Sequence, residues 1–226
     1  MKRSEVRSRI EEIGIVPAVR VSSEHVARFA AEAIARGGIP VVEIEMTVPG
    51  AVGVIGYLVQ HIPDMIVGAG SIYDAETARR CIAAGAQFLT TDGLELSVIE
   101  FANKEDIAVW PAALTPTEVI AAWKAGPDFV KVFPCAPVGG ENYIRILRKA
   151  LAHIPFIAAG GVNQQTAQKF IVAGATALGV GADLIPEDAL RLRQSERIRE
   201  LAQRFRRFVT DARGQIAALK KRQLRD

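Results

Sequence analysis

Lys131 stands in the run Asp128-Phe129-Val130-Lys131-Val132-Phe133-Pro134, an apolar, strand-like segment in which an ammonium group has no packing role. Burial of an amine among valines and phenylalanines disfavours the charged form and leaves a nitrogen able to attack a carbonyl carbon, as in a Schiff-base lysine. The plainer alternative is a strand-end lysine whose stem lies on apolar surface while its amine reaches water. Strand context alone favours the plainer one. A second candidate is Val42-Glu43-Ile44-Glu45-Met46-Thr47, in which Glu43 and Glu45 share one face of a strand and Val42, Ile44 and Met46 the other. A carboxylate facing a lysine amine suits covalent catalysis with a proton shuttle: the amine forms the adduct and the acid moves protons. A structural ion pair between strands accounts for these residues equally well, and alternation does not choose between the two glutamates.

Two glycine clusters offer anion chemistry. Ala159-Gly160-Gly161-Val162-Asn163, with Asn163 suited to cap a helix, and Gly179-Val180-Gly181-Ala182 each follow a late apolar segment. Backbone N–H groups in such loops, backed by a helix N-terminus, cradle phosphates in parallel α/β barrels. Each pair alone is a weak signal, because tight turns call for glycine anyway. Neither matches a dinucleotide-binding or P-loop pattern, which disfavours nucleotide binding. His25, His61 and His153 fall in or near expected helices, so no imidazole set for a metal is expected and no cofactor is called for. Cys81 and Cys135 are too few for a disulfide framework and read as free thiols. Cys135, four residues past Lys131, either lines the same site or is small apolar filler, the second being favoured.

The elements that must position these residues announce themselves by a recurring join, in which a helical stretch ends in glycine and an apolar strand follows. It occurs at Gly37, Gly85, Gly126 and Gly174, at spacings of 48, 41 and 48 residues. Glycine there closes a helix in the left-handed conformation before the chain turns into the sheet. A second apolar segment lies inside each interval: Met65-Ile66-Val67-Gly68, Ile107-Ala108-Val109-Trp110 and Pro155-Phe156-Ile157-Ala158. With the opening Ile15-Val16-Pro17-Ala18-Val19 these make eight strands. Short apolar strands alternating with amphipathic helices predict an α/β chain closed as a (β/α)8 TIM barrel, with a doubly wound open sheet as the competitor. In such a barrel chemistry gathers at the C-terminal strand ends, where Glu43, Glu45, Thr47, Gly68-Ala69-Gly70-Ser71, Lys131 and the late glycines all fall.

At 226 residues, 50% of them hydrophobic, the chain can bury one large core. The net charge of +3 conceals an asymmetry: residues 187–226 hold 12 Lys and Arg against 6 Asp and Glu. Their interleaving with Leu192, Ile198, Leu201, Phe205 and Phe208 at helical spacing predicts a packed amphipathic helix rather than a nucleic-acid arm. The expected organisation is therefore a barrel domain over residues 1–190 and a C-terminal helix over 191–226, frayed from Lys220. No window approaches the roughly 20 apolar residues of a membrane span, and Met1-Lys2-Arg3-Ser4-Glu5-Val6 does not lead into a signal sequence. A soluble, cytoplasmic protein with neither membrane nor nucleic-acid partner is expected.

Taken together, the Glu43 strand, Gly68-Ala69-Gly70-Ser71, Lys131-Val132-Phe133-Pro134, Gly160-Gly161-Val162 and Gly179-Val180-Gly181 resemble the bacterial class I aldolases of 2-keto-3-deoxy-6-phosphogluconate (KDPG) and 4-hydroxy-2-oxoglutarate (KHG), over about residues 9–190. The resemblance implies a homotrimeric barrel acting on a small keto acid, with Lys131 as the Schiff-base residue and Glu43 as general acid and base. It implies substrate contacts from Arg20, Thr47, Ser71, Asp92, Gly160, Gly161, Gly181 and Ala182. Several positions depart from the family pattern. Thr47 stands where some members carry arginine, Ser71 replaces a threonine, and Asp92 replaces a proline. Ala159 and Ala182 replace hydroxyl residues that assist phosphate binding, a loss of about 1 kcal/mol each. Arg20 is placed to supply compensating charge. An unphosphorylated or dicarboxylic keto acid is the alternative substrate, and a non-catalytic sugar-phosphate-binding barrel a remote one.

Overall fold

The computed structural model describes residues 1–223. Helix α1 (Arg3–Ile13) precedes β1 (Ile15–Val19), α2 (Glu24–Arg36), β2 (Val41–Glu45), α3 (Ala51–His61), β3 (Ile66–Gly70), α4 (Ala75–Ala83), β4 (Phe88–Thr90) and α5 (Leu96–Lys104). The second half runs β5 (Ala108–Trp110), β6 (Ala112–Ala113), α6 (Pro116–Lys124), β7 (Val130–Val132), α7 (Glu141–Ala150), β8 (Phe156–Ala159), α8 (Ala167–Val172), β9 (Ala177–Val180), α9 (Glu187–Arg191) and α10 (Ser195–Gln223).

Every strand pairing is parallel, in the order β5-β4-β3-β2-β1-β9-β8-β7-β6. Segments β5 and β6 are one strand interrupted at Pro111. Proline has no N–H to give the ladder, yet its carbonyl still accepts from the Lys131 backbone N–H at 2.9 Å. Because β5 and β6, the two ends of this order, are halves of one strand, the ring closes as a (β/α)8 barrel of eight strands in nine segments, which excludes the open sheet with its two free edges. Inward positions follow from the pleat. Phe129 shares a face with Lys131, Phe88 shares a face with Thr90, and Trp110 is the register partner of Thr90. Phe88 stacks on Trp110 at 4.4 Å between centroids and Trp110 meets Phe129 edge-on at 5.5 Å, a fully buried aromatic layer beneath the strand ends.

The joins adopt left-handed backbone at Gly38, Gly85, Gly126 and Gly174. At the first join Gly38 turns the chain, not Gly37, which keeps a helical φ of −75°. Gly37 is small for another reason: a Cβ there would lie 2.4 Å from the Cβ of Ala202 on α10. That helix packs on α2 and α8, burying Ile198, Leu201, Ala202, Phe205, Val209 and Ala212 and turning its charged residues outward. It starts at Ser195 instead of 191 because Arg193, at a φ of +54°, separates it from α9. Over the stretch expected to fray from Lys220, the helix continues through Gln223. Lys220, Lys221 and Arg222 occupy its last described turn, where positive charge complements the helix C-terminus. Residues 224–226 lie outside the described residues. Among the described residues no helix is long and apolar enough to cross a membrane.

Helix α1 is latched across the N-terminal ends of the strands. The Arg3 Nε donates to both oxygens of Asp128 at 3.1 and 3.0 Å, and its terminal nitrogens donate to Asn103 Oδ1 and the Gly126 carbonyl. Asp128, buried, also accepts from the Val109 backbone N–H at 2.9 Å. Asp128→Ala leaves both donors without this acceptor and is expected to cost about 3 kcal/mol of stability, measured as a lowered midpoint in urea unfolding.

Candidate active site

The Lys131 side chain, 6% exposed, points inward from β7. Its Nζ lies 3.2 Å from Asp92 Oδ1 and 3.5 Å from Thr90 Oγ1. Thr90 donates to Glu43 Oε1 at 2.6 Å, so a single hydroxyl bridges the amine and the strand-β2 carboxylate. Glu43 is 4% exposed, and burial holds its carboxyl above the usual carboxylate range, against the opposing attraction of Lys131. The amine therefore faces carboxylates, not the purely apolar wall that the sequence suggested.

Glu45, the other inward glutamate, accepts from Arg20 Nη2 at 2.9 Å and contacts the Ser71 hydroxyl. Ser71 Oγ also lies 2.7 Å from Asp92 Oδ2, to which the Tyr73 hydroxyl donates at 2.9 Å. Burial pushes the Asp92 carboxyl upward, but the Ser71 hydrogen bond, the Lys131 charge and the Tyr73 hydroxyl outweigh it. The group rests below the usual range. Space for Glu43 is made by Gly70, where a Cβ would lie 2.2 Å from Glu43 Oε1. The glycines at 68 and 70 are thus inward positions within β3, not a loop after it; only Ser71 follows the strand, at a φ of +57°.

These groups open into a cavity of about 850 Å³ at the C-terminal strand ends. Lys131, Glu43, Glu45, Asp92 and Arg20 line one side, and Gly160, Gly161, Gly181 and Ala182 line the same cavity. Helices α8 and α9, after the glycine loops, have only six and five residues, which leaves anion binding there to loop N–H groups more than to a helix dipole. Asn163 does cap the turn into α8, accepting from the Gln165 and Thr166 N–H groups at 2.9 and 3.0 Å. Arg20 is engaged with Glu45, which raises its pKa, so its charge is committed to the amine side. Asp92 is likewise at Lys131 instead of among the glycine loops. Thr47, exposed in the turn after β2, is not among the residues lining the cavity.

Thr90, Tyr73, Phe133 and Arg191 were not singled out from the sequence. Thr90 carried a usable signal, a hydroxyl inside the apolar Phe88-Leu89-Thr90 strand. Arg191, which lines the cavity from α9, carried none, because it sits in a run of surface arginines. Cys135 is buried outside the cavity lining, its Sγ on the Val132 carbonyl, and burial pushes its thiol up to about 11, as it does for Cys81. His61 stacks on Tyr57 and His153, in the turn after α7, meets Trp123 edge-on, and both are exposed. Among the described residues no group of three or more His, Cys, Asp or Glu is placed to hold a metal ion.

Comparison with known proteins gives a consistent result. The family model described as KDPG and KHG aldolase matches residues 6–201. A 2-dehydro-3-deoxy-phosphogluconate aldolase of Pseudoalteromonas atlantica is 28% identical over 83% of this chain and 87% of its own. The KHG/KDPG aldolase of Escherichia coli is 27% identical over 83% and 88%. Among solved structures, native KDPGal superposes with a TM-score of 0.79 at 26% identity, over 88% of this chain and 95% of that one. KDPG aldolase from Legionella pneumophila, with pyruvate captured as a covalent carbinolamine, superposes with a TM-score of 0.81 at 24% identity, over 87% and 96%, and supports the fold. With the family model spanning most of the barrel and the buried lysine and glutamate of that motif set meeting in its mouth, the chain belongs to the KDPG and KHG aldolase family.

Proposed function

We propose that the chain is a class I aldolase that cleaves KDPG to pyruvate and glyceraldehyde 3-phosphate, and KHG to pyruvate and glyoxylate. The observation that carries this reading is the buried Lys131 amine joined to Glu43 through the Thr90 hydroxyl, in a cavity shared with the late glycine loops. Lys131 attacks the keto carbon and, with loss of water, forms an iminium that acts as the electron sink. Glu43, through a water, removes the proton of the 4-hydroxyl. The bond between carbons 3 and 4 breaks, the aldehyde leaves, and its electron pair forms the enamine of pyruvate. Protonation at carbon 3 and hydrolysis release pyruvate and restore the amine. A carboxyl lifted by burial suits Glu43 to both directions of this proton transfer.

We assign Ser71, whose hydroxyl meets Asp92, to the carboxylate end of the substrate and Gly160, Gly161 and Gly181 to its distal end, a reading supported by Arg191 as a cation on the cavity wall. A second reading, the same chemistry on an unphosphorylated or dicarboxylic keto acid, is favoured by Ala159 and Ala182. Neither brings a hydroxyl to the loops, while Asp183 and Glu187 line the same wall. Cleavage rates on phosphorylated and unphosphorylated 2-keto-3-deoxy sugar acids decide between the two. Assembly as a homotrimer follows the family resemblance. One similar structure is a protein cage designed by fusing symmetric oligomeric domains.

Lys131→Arg is expected to abolish both turnover and borohydride trapping of pyruvate on the protein, read by intact-protein mass spectrometry; retention of either refutes the assignment. Glu43→Gln is expected to lower kcat by about 1,000-fold. It should also remove an acid-side limb of the pH–rate profile, which in the wild type lies above ordinary glutamate titration. The linked stability has a definite sign. A carboxyl raised in the folded state contributes stability that is full below its unfolded value and is lost as pH rises through its folded one. Glu43→Gln should therefore melt higher than wild type at about pH 8, with the gap closing toward about pH 4.

A further inference from the structure

We infer that the cavity holds a hydrocarbon seat beside the glycine loops, walled by Val21, Val26, Ile185 and Leu190, so that the same lysine also joins pyruvate to aliphatic aldehydes. The inference rests on the Schiff-base reading and gives its unphosphorylated form a substrate class: 2-keto-4-hydroxy acids with an alkyl tail.

All four side chains line the cavity into which Lys131 and Glu43 open. Val21 follows β1, Val26 lies in the first turn of α2, and Ile185 and Leu190 come from the turn after β9 and from α9. Ile185 and the neighbouring wall residue Val162 are 5% and 4% exposed, while Val21, Val26 and Leu190 are half-buried. The charged residues of this end, Asp183, Glu187 and Arg191, are exposed and so form its rim. On α9 the spacing of Glu187, Leu190 and Arg191 puts all three on one face, with the leucine less exposed than the charges on either side.

Phe133 carries apolar surface from the reacting nitrogen to the loops. Its ring centroid lies 5.7 Å from Lys131 Nζ, and the ring also packs on Gly160, where an added Cβ would fall 3.0 Å from Phe133 Cδ2. Ala159 and Ala182 bring methyl groups to the same cavity. At this end the one lining hydroxyl among the described residues is that of Ser22, which is exposed. A polyol tail pressed on these aliphatic side chains loses hydrogen bonds to water without replacement. An alkyl tail instead removes apolar surface from water on both sides of the contact.

No further reactant is needed. Lys131 holds pyruvate as an iminium, and Glu43 takes one proton from carbon 3 to give the enamine. The enamine pair forms the new bond to the aldehyde carbon, the carbonyl π electrons move onto oxygen, and that oxygen takes the proton back from Glu43. Water then adds to the iminium, the 2-keto-4-hydroxy acid leaves, and the amine is restored. The alkyl group makes and breaks no bond; its seat holds the aldehyde against the enamine.

The test is kcat/KM for propanal, butanal, pentanal and hexanal, whose carbonyls are alike in reactivity, at saturating pyruvate. Product is measured by mass spectrometry in wild type, Leu190→Asn, Leu190→Met and Val26→Thr. Wild type should gain about threefold per added CH2, hence about 30-fold from propanal to hexanal. Leu190→Asn and Val26→Thr should each flatten that rise, and Leu190→Met should keep it. Equal rates on propanal and hexanal in wild type overturn the inference and leave the Schiff-base reading standing, as does no product from any of these aldehydes while borohydride still traps pyruvate. An undiminished rise in both polar variants at the wild-type melting temperature also overturns it. Absence of pyruvate trapping in wild type overturns both.

Discussion

Charge balance in a closed space governs this molecule. Three acidic side chains, Glu43, Glu45 and Asp92, meet one lysine and one arginine at the mouth of the barrel, and two of the three acids are buried with Lys131. An isolated charge in such a place costs several kcal/mol, so each group persists only because another answers it. Arg20 answers Glu45, Lys131 answers Asp92, and Glu43 is left with a neutral hydroxyl and a raised carboxyl. The acid lacking a cation at hydrogen-bond distance is also the one whose carboxyl burial raises, a property set by its surroundings and not by its residue type.

The same crowding sets the composition of neighbouring strands. Glu43 reaches the centre of the barrel only because β3 presents hydrogen in place of a side chain at residue 70, and the Phe88 ring likewise lies over residue 68. Below them lies the buried Phe88, Trp110 and Phe129 layer, while the ionisable cluster lines the cavity above. Fold and site are thus one packing problem: large inward side chains on β2, β4, β5 and β7 require small ones on β3.

Much of this was legible in the residues. Period-two alternation put Glu43 and Glu45 on one face and marked Lys131 as an intruder among valines, and the glycine joins gave the number of strand–helix units. The interruption at Pro111 was readable in principle, since proline cannot complete a ladder. What alternation does not carry is the identity of partners across the barrel. Asp92 stands 39 positions from Lys131, and their meeting depends on the register of β4 and β7 with the two strand segments between them. Sequence reading therefore saw Asp92 as a departure from the family pattern and a substrate contact, without its pairing to the amine. The pairing of Arg20 was hidden for the same reason, because its partner Glu45 belongs to the next strand and register alone joins them. Gly37 was assigned a turn because the helix that crowds it lies 165 residues away, at Ala202.

The pairing of β1 with β9 has a consequence for how the chain is made. The first strand to leave the ribosome has one of its two neighbours waiting at residues 177–180, and the α10 face that covers α2 and α8 is synthesised later still. Until then β1 exposes one bare edge and the ring stays open. Such long-range closure is slow relative to local helix formation. The unfinished edge is, for that interval, the part of the nascent barrel most in need of a chaperone.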